Sequence, residues 1–171
     1  MNTILVMLLL LPACASKAAR PASPVVMSVA VMMPMIRETN NRGNVGRDWE
    51  TIQQAVAAKI LESARQRDPG ARLIDTMPIG PAATKQSATH LIVPSILQWT
   101  QMRTDDPIGA LISRRNHITI ALRLMRLQQA PVLECEITFT NRARLTLNQR
   151  AERLLDRRFH AAVLQLLSCA T

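Results

Sequence analysis

At 171 residues, the chain has room for one domain with a real core and too little for two comfortable ones. Its net charge of +9 is carried almost wholly by arginine, since Lys17, Lys59 and Lys85 are the only lysines, and such a balance points to an anionic partner. Tyrosine is absent and Phe and Trp number two each, which removes the aromatic platform a base-stacking nucleic-acid binder needs.

The first predicted element is the apolar run Ile4–Leu11, closed by Pro12-Ala13-Cys14. It is too short to span a bilayer and has the length of a signal-peptide core. The small Ala13 before Cys14 resembles the lipobox of bacterial lipoproteins. That resemblance implies removal of residues 1–13 and acylation of Cys14, with a lipid anchor in the cell envelope, at the outer membrane ahead of the inner. Two other readings stay open. Ala13-Cys14-Ala15 also fits ordinary secretory cleavage, which gives a soluble periplasmic protein, and the segment can remain as an uncleaved anchor. Pro12 and the uncharged Met1-Asn2-Thr3 start are both unusual for a lipobox signal. Export, in turn, makes nucleic acid a poor partner, so the basic surface suits anionic lipid headgroups, an acidic envelope protein or solvent alone.

Residues 14–24 are small, polar and proline-bearing, as expected of a tether, and residues 25–171 form one domain. Val25 to Met33 is nearly continuously apolar and reads as a strand covered on both faces, with Met27, Met32, Met33 and Met35 as core rather than metal ligands. Asn40 to Gly46 is a loop. Asp48 can cap a helix whose Trp49, Ile52, Val56 and Ile60 share one face, and Asp68-Pro69-Gly70 stops it. A short strand is predicted at Arg72–Asp75, and a turn or two of helix within Ala82–Thr89. His90–Trp99 is the next strand, where Pro94 implies an edge position or a bulge. Residues 100–116 read as a long polar loop. Ile118, Ile120, Leu122 and Leu124 then recur at period two, as do Leu133, Cys135, Ile137 and Phe139, which makes a β-hairpin. A terminal helix follows, capped by Thr146 or Asn148, with Leu154, Leu155, Phe159, Val163, Leu166 and Leu167 on its apolar face. Arg150, Arg153, Arg157 and Arg158, with Glu152 and Asp156, fall on its other side. The fold class is α+β, a single mixed sheet of about five strands in the order β-α-β-(α)-β-β-β-α.

This order, with Ala88-Thr89-His90-Leu91-Ile92-Val93-Pro94 leading to Gln98-Trp99, resembles that of small Gram-negative envelope lipoproteins. In element order it is also similar to the periplasmic domain of curli-secretion lipoproteins and the amino-terminal domain of the Tol-system periplasmic protein. The resemblance implies the fold and an envelope location, and it brings no catalytic residue. The acidic and Ser-Gly residues usual after the Trp are absent or displaced here.

No chemistry-bearing set converges in the sequence. His90, His117 and His160 lack metal-ligand spacing, and Ser95 and Ser113 lack a nucleophile elbow. Gly43-Asn44-Val45-Gly46 lacks a phosphate-binding signature. No cofactor and no metal are expected. The candidate contact residues for a partner or lipid are Asp105, Asp106, Arg114 and Arg115 in the long loop and Arg150, Arg153 and Arg157 at the last helix. Cys135 and Cys169 can form a disulfide only if the last helix finishes beside the second hairpin strand; otherwise both are free thiols, with Cys135 a small core residue. The functional expectation is a membrane-anchored, non-enzymatic binding or assembly component of the envelope with another envelope protein as partner. The competing expectation is an enzyme with its site in loop 100–116.

Overall fold

The computed structural model describes residues 27–37, 49–77, 88–100, 116–127, 130–143 and 151–170. The first strand, β1 (Val29–Met32), has Val29, Ala30 and Val31 fully buried, as its two-sided apolar composition requires. After Met33-Pro34 the chain resumes as β2 (Met35–Ile36). Helix α1 (Trp49–Ala64) buries Ile52, Val56 and Ile60, the face set by their spacing. Its proposed cap Asp48 lies outside the described residues. The helix ends where Arg67 and Asp68 donate their N–H groups to the Ala64 carbonyl. The Asp68 carboxylate then accepts from Val29 N at 2.6 Å and Gly70 N at 2.9 Å, so one side chain ties the helix exit to the start of β1.

Strand β3 (Arg72–Ile74) is followed by β4 (His90–Thr100), β5 (Asn116–Arg126) and β6 (Val132–Ala143). Residues 82–87, expected as a helical turn, lie outside the described residues. The sheet order is β3-β1-β4-β5-β6, with β2 beside β4. Pairings are parallel on the β1 side of β4 and antiparallel through β5 and β6. The result is the expected α+β fold around one mixed sheet.

Pro94 is not at an edge, because β4 is central, but it faces an irregularity. Between the pairing of Val31 with Ile92 and that of Met35 with Ser95 the register slips by one residue, the extra residue lying on the β1–β2 side. Ile96 accepts from Arg37 N and His90 donates to Ser28 O on the β1 side, so by alternation the N–H that Pro94 lacks would point the same way. There the neighbouring ladder is broken between Met32 and Met35, and no donor is called for. The bulge in β4 lies further on, between Ile96 and Gln98.

The hairpin forms as predicted, with one correction. Leu124 pairs with Cys135 but Met125 pairs with Leu133, which makes Glu134 an extra, bulged residue. The bulge reverses the alternation, so Leu133 leaves the face of Cys135, Ile137 and Phe139 and stands 51% exposed.

The last helical region also differs from expectation. A 3-10 turn, Ala151–Leu154, precedes helix α2 (Arg157–Leu167), and Asp156 caps α2 by accepting from Arg158 N at 2.9 Å and Phe159 N at 3.4 Å. Asp156 therefore starts the helix instead of decorating its polar side, and Thr146 and Asn148 lie outside the described residues. Phe159, Val163, Leu166 and Leu167 bury against the sheet, with Phe159 edge-on to Phe139 at 5.0 Å.

Both helices cover one face, over Val31, Ile92, Ile96, Trp99, Ile120 and Leu122. A smaller cluster of Ala30, Ala88, Leu91 and Val93 lies on the other, with Met32, Met35 and Met125 packed against it. These methionines are apolar filling, as the sequence indicated.

Candidate functional site

Two places in the described residues concentrate polar chemistry. The first is a cleft of about 340 Å³ between α1 and α2. The i, i+3 spacing from Ser63 to Gln66 puts both residues toward α2 at the exit of α1. His160, in the first turn after the Asp156 cap, meets both: Nδ1 is 2.8 Å from Ser63 Oγ and Nε2 is 3.0 Å from Gln66 Oε1. The Ser63 hydroxyl donates to the Lys59 carbonyl at 2.8 Å and is buried. A hydroxyl committed to backbone, beside an imidazole oriented by an amide instead of a carboxylate, is arranged as a link between two helices rather than as an activated nucleophile. At the rim, the Lys59 ammonium donates to Glu62 at 2.7 Å and holds that carboxyl below its usual range.

The second place is where β4 begins, β5 ends and β6 bulges. His90 pairs across with Arg126, and the bulge turns Glu134 toward them. The Glu134 carboxylate, 9% exposed, forms an ion pair with Arg126 and lies 3.3 Å from His90 Nε2. On the other side of the ring the Thr89 hydroxyl is 2.9 Å from Nδ1 and also accepts from Ser28 N. Burial pushes the His90 imidazole below its ordinary pKa, with Arg126 acting in the same direction and Glu134 opposing. The neutral ring is thus favoured in an otherwise charged cluster. Next in the chain, Cys135 is disulfide-bonded to Cys169, with Cα atoms 6.1 Å apart. The end of α2 therefore does finish beside the hairpin strand, the condition the pairing required.

Of the candidate contact residues, only Arg153 and Arg157 fall within the described residues. Cys14, Asp105, Asp106, Arg114, Arg115 and Arg150 lie outside the described residues. Arg153 sits exposed on the 3-10 turn and Arg157 exposed at the start of α2. Sequence reasoning passed over Glu134 and Arg126, which read as ordinary hairpin polars; the bulge that joins them has no local signature in these residue types. It also passed over Ser63 and Gln66, whose match to His160 exists only once α1 and α2 pack. Among the described residues, no group of three or more His, Cys, Asp or Glu could hold a metal ion, and no helix is long and apolar enough to cross a membrane.

No family model and no curated protein matches the sequence. Solved structures do share its fold. The PelC dodecamer from Paraburkholderia phytofirmans aligns with a TM-score of 0.52 at 12% identity, over 83% of this chain and 85% of that one. The hypothetical protein CT253 from Chlamydia trachomatis aligns at 0.50 and 10% identity, over 83% of this chain and 94% of its own. At such identities the likeness is one of fold, and the similarity to curli-secretion and Tol domains still rests on element order alone. The fold of this chain is therefore one that it shares with these two solved proteins.

Proposed function

We propose that the protein is a lipid-anchored component of the bacterial cell envelope, held through Cys14, that works by binding or assembling and not by catalysis. The observation that carries this reading is the run Ile4–Leu11 closing on Ala13-Cys14, followed by a ten-residue-scale tether and one compact domain. The fold likeness supports it: PelC, with the same architecture, is a dodecamer, so this sheet-and-helix body is compatible with assembly. The polar clusters agree, since Ser63–His160 and His90–Glu134 are both committed to internal contacts.

Expression in a Gram-negative host with an alkyne-labelled palmitate tests the anchor. The wild-type chain takes up the label and sediments with membranes, while the Cys14→Ser chain loses the label and most of its membrane association. A Cys14→Ser chain that keeps both would sink the reading. Crosslinking in intact envelopes then recovers either multiples of the chain or one defined partner, and a bare monomer counts against assembly.

A further inference from the structure

We propose that the end of the sheet where the chain enters the domain is a docking surface for an anionic lipid bilayer. The inference rests on the Cys14 anchor, and it adds which side of the body faces the membrane and what that side recognises.

The register builds this end. Val29 pairs with His90, His90 with Arg126 and Arg126 with Val132, while Ala30 pairs with Arg72. One row across the sheet therefore carries Arg72, the start of β1, Arg126 and Val132. Helix α1 runs back toward the same end, because Asp68 just beyond it bonds Val29 N, and this brings in Arg65 and Arg67. Arg65 is fixed there by donating to the Ala71 carbonyl at 3.3 Å. Arg65, Arg67, Arg72 and Arg126 are all exposed.

The acids nearby are already engaged. Asp68 accepts two backbone N–H groups, and Glu134 is buried against Arg126 and His90. Exposed apolar side chains accompany the arginines: Val132 and Leu133, each 51% exposed, and Leu73 at 38%. They are three of the four exposed large hydrophobics among the described residues. Arginine beside exposed Leu and Val suits the headgroup boundary, where guanidinium meets phosphate and the apolar chains reach the acyl region.

Topology selects this end over the other. The chain from Cys14 to Ser28 can span at most about 50 Å, so the body hangs close to its anchor. It is attached at Ser28, whose N–H is held by the Thr89 side chain. Arg153 lies at the far end, since Asn141 near the close of β6 donates to the carbonyl of the adjacent Leu154 at 2.9 Å, while Arg157 lines the cleft with Gln66 between the two ends. The end of α2, which the disulfide brings to the tether end, has no basic residue in its last turn.

Arginine footprinting of the intact chain tests the proposal. The protein is placed on vesicles of phosphatidylcholine alone, or with about one third phosphatidylglycerol, and treated with phenylglyoxal; modification is read at each arginine by mass spectrometry. A roughly fivefold effect is the scale for each basic group at such a surface. The reactivity of Arg65, Arg67 and Arg72 should fall several-fold on the anionic vesicles only and recover in high salt. Arg153, at the far end, should keep its reactivity throughout. The same spectra report whether Cys14 is acylated. If it is not, the anchor reading fails on its own, and the footprint of protein added from solution still reports on this surface. Equal reactivity on the two vesicles, or protection centred on the α2 arginines, would overturn the proposal. So would protection found in native envelopes but not on vesicles, because that would assign the surface to a protein partner.

Discussion

The two ends of the sheet are closed by different chemistry. At the tether end the fastenings are covalent and ionic: the Cys135–Cys169 bond, the Glu134–Arg126 pair and the Asp68 carboxylate on Val29 N. At the far end they are neutral or capping contacts. Asn141, buried, donates to the Leu154 carbonyl and at 3.3 Å to Asp156, which in turn caps α2. The core is continuous between the two ends, so the difference concerns how each margin resists local opening. The tether end is closed by contacts that survive fraying of a helix turn. The far end depends on the start of α2 being folded.

The largest expected effect comes from removing the covalent fastening. The bond closes a loop of sequence separation 34, and replacing both residues in Cys135→Ala/Cys169→Ala should lower stability by about 2–4 kcal/mol in a urea titration. Amide exchange should rise in the last turn of α2, at Leu164–Leu167, well before it rises around Asp156. A uniform rise along α2 would show that the two ends are not independently held.

The far end should respond more weakly to loss of its cap. Asp156→Ala removes the acceptor for two helical N–H groups and a partner of Asn141, at a cost of about 1–2 kcal/mol. Asp156→Asn keeps an acceptor oxygen and should cost well under half as much. If the two substitutions are equally costly, the negative charge matters more than the capping geometry, and the far end is less neutral than it looks.

Much of this architecture was legible because single-element patterns suffice for it. Ile118, Ile120, Leu122 and Leu124 alternate and are buried on one face of β5, and Ile52, Val56 and Ile60 recur at helical spacing and bury in α1. What could not be read depends on a second element. Pro94 looks like an edge residue until the break at Met33-Pro34, some 60 positions earlier, is placed opposite it. Leu133 keeps perfect alternation with Cys135 in the sequence, and only the register with Met125 shows that Glu134 is bulged. Asp156, among arginines and Glu152, looks like part of a solvated helix face because capping and surface acids use the same residue type. The polar clusters were illegible for the same reason. His90, Arg126 and Glu134 come from three strands, and His160 finds Ser63 and Gln66 across 97 and 94 positions.

The smallest expected effect is one of pH, and it links the two ends through their histidines. His90 lies in the tether-end cluster with Glu134, Arg126 and Thr89. His117 lies at the far end, 3.2 Å from the Arg142 guanidinium and 3.1 Å from the Thr119 hydroxyl. Burial lowers the pKa of both, and Arg142 lowers that of His117 further. An imidazole whose folded pKa lies below its unfolded value of about 6.5 takes up its proton more readily in the unfolded chain. The stability it contributes is complete above that value and is lost as pH falls toward the folded pKa. The thermal midpoint should therefore fall modestly between pH 7.5 and pH 5.5, above the range where carboxylates dominate. His90→Gln and His117→Gln should each flatten part of that slope. If only His117→Gln does so, the attraction of Glu134 offsets burial at His90, and the tether-end cluster is closer to a full ion pair than its buried ring implies. A midpoint that rises on acidification would mean that protonated His90 binds Glu134 strongly enough to reverse the effect of burial.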